Sequence, residues 1–140
     1  MYHATEVIAK TFSEKGLKYR TREAGKLSMV EAGFDGKIVK NVIIRFLSAD
    51  DDNDVSVRST EIACYPEDKR EMGYKRCNVI NNKYRFLKFV MDDDGNVNAQ
   101  FDFPQETSDE CLGMMAREIF IRSMNIIDES YRDIMMDILL

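Results

Sequence analysis

The stretch PEDKREMGYKRCNVINNKYRFLKFVMDDDGNVNAQFDF, residues 66–103, decides the fold. Pro66 stands where the first turn of a helix tolerates proline, because an N–H there would have no intrahelical partner. Glu67 and Asp68 follow at the positive end of the helix dipole. The predicted helix carries Met72, Cys77, Val79 and Ile80 and ends around Asn81–Lys83. An extended run, Tyr84–Met91, leads through Asp92-Asp93-Asp94-Gly95-Asn96 to a second run, Val97–Phe103. Asp-Gly between two alternating runs predicts a hairpin, since glycine supplies the positive φ that a tight turn requires. Leu87, Phe89 and Met91 share a face with Val97, Ala99, Phe101 and Phe103, while Lys88, Asn98, Gln100 and Asp102 point the other way.

Working outward, Ala4, Val7, Ile8 and Phe12 recur at helical spacing, which predicts a helix over Ala4–Lys15 that Gly16 terminates. Leu17–Arg22 reads equally as a strand or a connection. Lys26–Phe34 alternates weakly, and Asp35-Gly36 signals a turn. Ile38–Ser48 reads as a strand with Val42, Ile44 and Phe46 on one face and Ile43 and Leu47 on the other, the mark of a central position. After the acidic turn Asp50–Asp54, Val55–Cys64 alternates again.

Beyond the hairpin, Pro104 stops the strand, and Thr107 and Glu110 stand at capping-box spacing. A helical pattern then persists to Leu140. Leu112, Met115, Ala116 and Ile119 form one stripe; Phe120, Met124, Ile127, Tyr131, Ile134 and Ile138 form another, rotated from the first. The mismatch predicts a bend, a break near Ile119–Ser123, or two different buried contacts. The fold expected is α+β, one domain over residues 1–140 in the order α-β(3)-α-β(2)-α, with an antiparallel sheet packed against helices.

Composition narrows the function classes. The net charge is −5, and the acids cluster in the two aspartate turns and beyond residue 105. No face reads as strongly basic, which argues against nucleic acid or an anionic membrane as a partner. Lys69, Arg70, Lys75 and Arg76 read as a solvated helix face. Cys64, Cys77 and Cys111 are odd in number and form no C-x-x-C pair, which fits reduced thiols in a cytoplasmic protein better than a disulfide framework. No signal peptide is evident, and no apolar run approaches the ~18 residues of a membrane span.

Asp50, Asp52, Asp54, Ser56 and Glu61 fall at five ligand positions of a calcium loop. Val55, however, occupies the position that needs glycine, and the flanks read as strands. Acidic side chains that solvate hairpin tips are the better reading. His3 is the only histidine and the cysteines are scattered, so neither a transition-metal site nor an activated nucleophile is indicated. No phosphate-cradling glycine motif is present, and no cofactor is expected. Asn78, Asn81 and Asn82 suit a helix end and the entry to a hairpin.

Methionine is the unusual residue. Nine occur, with Met114, Met115, Met124, Met135 and Met136 on the last helix. Flexible thioethers suit surfaces that repack against varied partners, although Met115 and Met124 serve equally as core filler. A heptad-like stripe here also fits a helix-to-helix contact between two copies.

Pro66-Glu67-Asp68-Lys69-Arg70, then Cys77-Asn78-Val79-Ile80-Asn81, then Lys88-Phe89 with Asp94-Gly95-Asn96-Val97, resembles the YbjN family of bacterial proteins, labelled sensory transduction regulators. The resemblance runs from the first helix to about Asp133. It implies a domain similar in fold to type III secretion chaperones, and it carries no catalytic residues to transfer. The last helix departs from it in length and methionine content. The expectation is therefore a non-catalytic domain that binds a protein partner of unknown identity, with a homodimer among the options. The contact is expected on the less polar sheet face or on the last helix at Met124, Tyr131, Met135, Met136 and Ile138. The rival is a small-ligand-binding protein or enzyme with a pocket between sheet and helices.

Overall fold

A computed structural model of the chain describes residues 1–49 and 53–140. Asp50 and Asp52, which open the calcium-like pattern, lie outside the described residues. The elements run α1 (His3–Glu14), β1 (Arg20–Ala24), β2 (Leu27–Phe34), β3 (Val42–Ala49), β4 (Asp54–Cys64), a 3-10 turn (Glu67–Lys69), α2 (Arg70–Lys83), β5 (Lys88–Met91), β6 (Asn96–Pro104) and α3 (Asp109–Leu139). The strands form one six-stranded sheet in the order β1-β2-β3-β4-β6-β5. The α+β fold expected from the sequence is the fold observed. The segment after α1 that read two ways resolves as an edge strand, with Arg20 opposite Glu31 and Arg22 opposite Met29 on β2.

The chain packs as two compact units. The first draws on residues 1–33, 43–58 and 102–122. Its core gathers on Phe12, whose ring lies 5.5 Å from that of Phe46 and 5.8 Å from that of Phe120. Ile44, Phe46, Val55 and Val57 are all buried on this side of β3 and β4. In this unit the less polar sheet face is thus covered by the unit's own helices. At the end of α1, Gly16 takes φ +71°. Its N–H donates to the Ser13 carbonyl and that of Leu17 to the Phe12 carbonyl, the paired bonds of a glycine-terminated helix.

The second unit draws on residues 34–42, 59–101 and 123–140. Its hairpin turns at Gly95, φ +88°. Asn81, at the end of α2, accepts the Phe89 N–H at 2.7 Å and donates to the Phe89 carbonyl at 2.9 Å. One amide side chain thus substitutes for a neighbouring strand. β5 is shorter than the sequence suggested, because 84–87 connect rather than pair. β3 likewise begins at Val42 rather than Ile38. The Asp128 carboxylate accepts the backbone N–H groups of Lys37, Ile38 and Val39 at 2.9–3.0 Å, and donors committed there form no sheet ladder.

α3 is one unbroken helix of 31 residues, not a divided one. Its buried stripe passes through Leu112, Ala116, Phe120, Ser123, Ile127, Ser130 and Ile134. The two serines complete the stripe, and an apolar search skips them. The helix starts one residue later than the proposed box: Ser108 Oγ, not Thr107, accepts a first-turn N–H, that of Cys111 at 3.2 Å.

Candidate functional site

The end of α3 is tied down by polar contacts. Asp137 receives Arg76 Nε at 2.8 Å on one oxygen and Arg76 Nη2 at 3.0 Å on the other. The buried Tyr65 donates its hydroxyl to the same carboxylate at 2.8 Å. Lys69 Nζ reaches the carbonyls of Asp137 and Ile138 at 3.2 and 2.9 Å, placing a cation at the negative end of the helix dipole. Farther up, Tyr84 donates to Glu129 at 2.6 Å. The Arg76 hydrogen bond, working against burial and aided by Tyr65, holds the Asp137 carboxyl below the usual range. Burial, with the Asp137 hydrogen bond and charge, pushes the Tyr65 phenol far above its ordinary value. Lys69, Arg70 and Arg76 are therefore ties rather than a solvated face; Arg70 bonds the Asp94 carbonyl, and only Lys75 of the four fits the solvated reading.

Apolar side chains flank this anchor and stay at the surface. Met136 is 50% exposed and Leu139 73%. Leu140 is more exposed still, though its N–H bonds the Met136 carbonyl. On α2, Met72 and Val79 stand one turn to either side of Arg76 and are both exposed. The buried face of α2 is Gly73, Cys77 and Ile80. Of the helix residues singled out from sequence, Met136 is open. Met124, Tyr131, Met135 and Ile138 form a half-buried seam along α3 at steps of seven, four and three. Asp128 lies on the same seam between Met124 and Tyr131, and its carboxylate faces residues 37–39 of its own chain. The free surface is consequently the last turn and a half of the helix.

A second cluster, in the first unit, was not visible in composition. Glu31 on β2 is buried, its side chain 2% exposed, on the sheet face opposite Phe46. It receives Nε of Arg45 at 2.8 Å, Nε of Arg20 at 3.0 Å and Nε of Arg22 at 3.3 Å. Burial pushes the carboxyl up, but the Arg45 hydrogen bond and the three guanidinium charges outweigh it and hold the value low. Arg58 stands opposite Arg45 on β4 and pairs with Asp102 at 2.7 Å. An acidic chain thus carries arginines gathered on one sheet face by strand register.

A hollow of about 380 Å³ between α1 and the start of α3 is lined by Lys10, Lys15, Glu14, Asp109 and Glu110 among others, with charges near balance. Among the described residues, no group of three or more histidine, cysteine or acidic side chains is placed to hold a metal ion. All three cysteines are free; Cys77 is buried, and burial pushes its thiol up. Among the described residues, no helix is long and apolar enough to cross a membrane.

Residues 4–115 match the model of the YbjN family, described as "putative bacterial sensory transduction regulator". The structure is similar to the crystal structure of YbjN from E. coli, "a putative transcription regulator". That likeness has a TM-score of 0.61 at 13% identity and covers 91% of each chain. It is a likeness of fold. The chain matches no curated protein.

Proposed function

The chain belongs to the YbjN family, and on that premise we propose that it is a non-catalytic regulatory domain that docks a protein partner on the apolar surface at the end of α3. One observation carries the reading. The helix end is fixed by Asp137, Arg76, Tyr65 and Lys69, yet Met136, Leu139, Met72 and Val79 around it remain exposed. An apolar helix end that merely frayed would need no such anchor. One that is held in place loses little conformational entropy when a partner covers it. Methionine and leucine supply adaptable contact area, and the central ion pair supplies register.

The test is affinity capture of partners from the source cell with the intact protein and with Met136→Ser/Leu139→Ser. Both residues are exposed, so the variant keeps the fold, which circular dichroism verifies. Loss of the same proteins from the variant supports the reading; an unchanged set of captured proteins overturns it. Light scattering on the purified chain separates self-association from binding of a different protein.

A further inference from the structure

The Glu31 cluster holds more positive charge than its own carboxylate needs. Arg45 is the least exposed of the three arginines and makes the shortest bond to Glu31. Arg20 and Arg22 add two further guanidinium groups at the same carboxylate while staying 68% and 52% exposed. Like charges held this close repel one another unless an anion stands between them. Arg20 uses Nε toward Glu31, which fixes where its planar group stands and leaves its terminal amino end for a second acceptor, whereas Nη2 of Arg22 donates to the Met29 sulfur at 3.7 Å.

A shallow depression of about 380 Å³ lies beside them, lined by Lys18, Tyr19, Arg20, Glu31, Gly33 and Ile43. Lys18 adds a fourth cation. Gly33 on β2 presents bare backbone, and a glycine inside a strand leaves room for a ligand to approach closely. The Tyr19 ring and the Ile43 side chain give the depression apolar sides. The lining thus sets two cations and the Glu31 carboxylate that Arg45 also pairs beside apolar sides, an arrangement for a small molecule with one charged group.

We propose that this depression binds a small aromatic anion, its phosphate or carboxylate held by Arg20 and Lys18 and its ring lying over Gly33 between Tyr19 and Ile43. Arg45 and Glu31 act as positioning residues, which set the Arg20 guanidinium before the ligand arrives. The site lies in the first unit and stands independently of the docking surface on α3.

Titration of the full chain with phenyl phosphate, followed by amide NMR shifts, tests this. Saturable shifts at Tyr19, Gly33 and Ile43 are expected, with affinity reduced at least about tenfold in Lys18→Ala/Arg20→Ala. Tyr19→Ala is expected to weaken phenyl phosphate while leaving inorganic phosphate unchanged, which separates the ring's contribution from the anion's. Benzoate in place of phenyl phosphate distinguishes carboxylate from phosphate, and binding of either supports the site. Absence of saturable shifts with both ligands overturns the proposal. So does equal affinity in the double variant, or saturable binding of a single-stranded oligonucleotide when neither small anion binds.

Discussion

Arg76 and Asp137 meet in a two-point ion pair, Nε to one carboxylate oxygen at 2.8 Å and Nη2 to the other at 3.0 Å. The pair joins residues 61 positions apart and fixes the last turn of α3 against α2. Asp137 is largely withdrawn from water, so removing Arg76 leaves a carboxylate with only Tyr65 and Lys69 nearby. Arg76→Met is expected to cost about 2 kcal/mol, the scale of hydrogen bonds to a charged group. Urea denaturation measures it. A change within about 0.5 kcal/mol, the range of ordinary surface substitutions, would mean the pair is an incidental contact.

Acid should destabilise the protein through Asp137 and Glu31. Both carboxyls are held below their ordinary values, Asp137 mainly by the Arg76 hydrogen bond, and Glu31 by its arginines against the push of burial. The folded state binds these protons less readily than the unfolded chain. Their contribution is therefore complete above the unfolded values of about 4 and is lost as pH falls through the lower folded values. The urea midpoint should hold from pH 7 to about pH 5 and then fall. The acid limb should be shallower in Arg76→Met. A midpoint that rises on acidification would contradict this.

Gly73→Ala tests the packing of α2. A methyl group there would lie 2.6 Å from Met91 Sδ and 2.8 Å from Cδ1 of Tyr65. Alanine favours a helix over glycine by about 1 kcal/mol, but overpacking of a filled site costs about 1–3 kcal/mol. A net loss of stability is expected. A gain would show that Met91 moves aside without cost.

Asp128→Ala should release the segment before β3. Three backbone N–H groups lose their acceptor. Amide exchange at residues 37–39 should accelerate at least about tenfold, with a stability loss of about 1–2 kcal/mol, as for loss of a helix cap. Unchanged exchange at all three amides would mean that another acceptor takes over.

Much of this was legible in the chain because the signals were local. Gly16 ended α1, and Asp-Gly at 94–95 turned the hairpin. Alternation marked β4 and β6. What escaped was set by residues far apart in sequence. Asp128 decides where β3 begins from 89 positions away. Ser123 and Ser130 complete the buried stripe of α3, but an apolar pattern does not count serine, so one continuous helix reads as two stripes. Arg20, Arg22, Glu31 and Arg45 become one cluster only through strand register, and net charge averages such a cluster away. Which of the apolar residues of α2 are buried was not legible either: Met72 and Val79 stay exposed, and Gly73 stands on the buried face because Tyr65 and Met91 leave no room for a side chain there.

Site-specific photo-crosslinking in the source cell, with a benzophenone amino acid at position 136 of α3, tests the proposed docking surface most directly. The account predicts a discrete crosslinked protein from position 136, absent when the same group stands at the exposed Lys10 on α1. Crosslinking to the same proteins from both positions, or none from position 136, would contradict it.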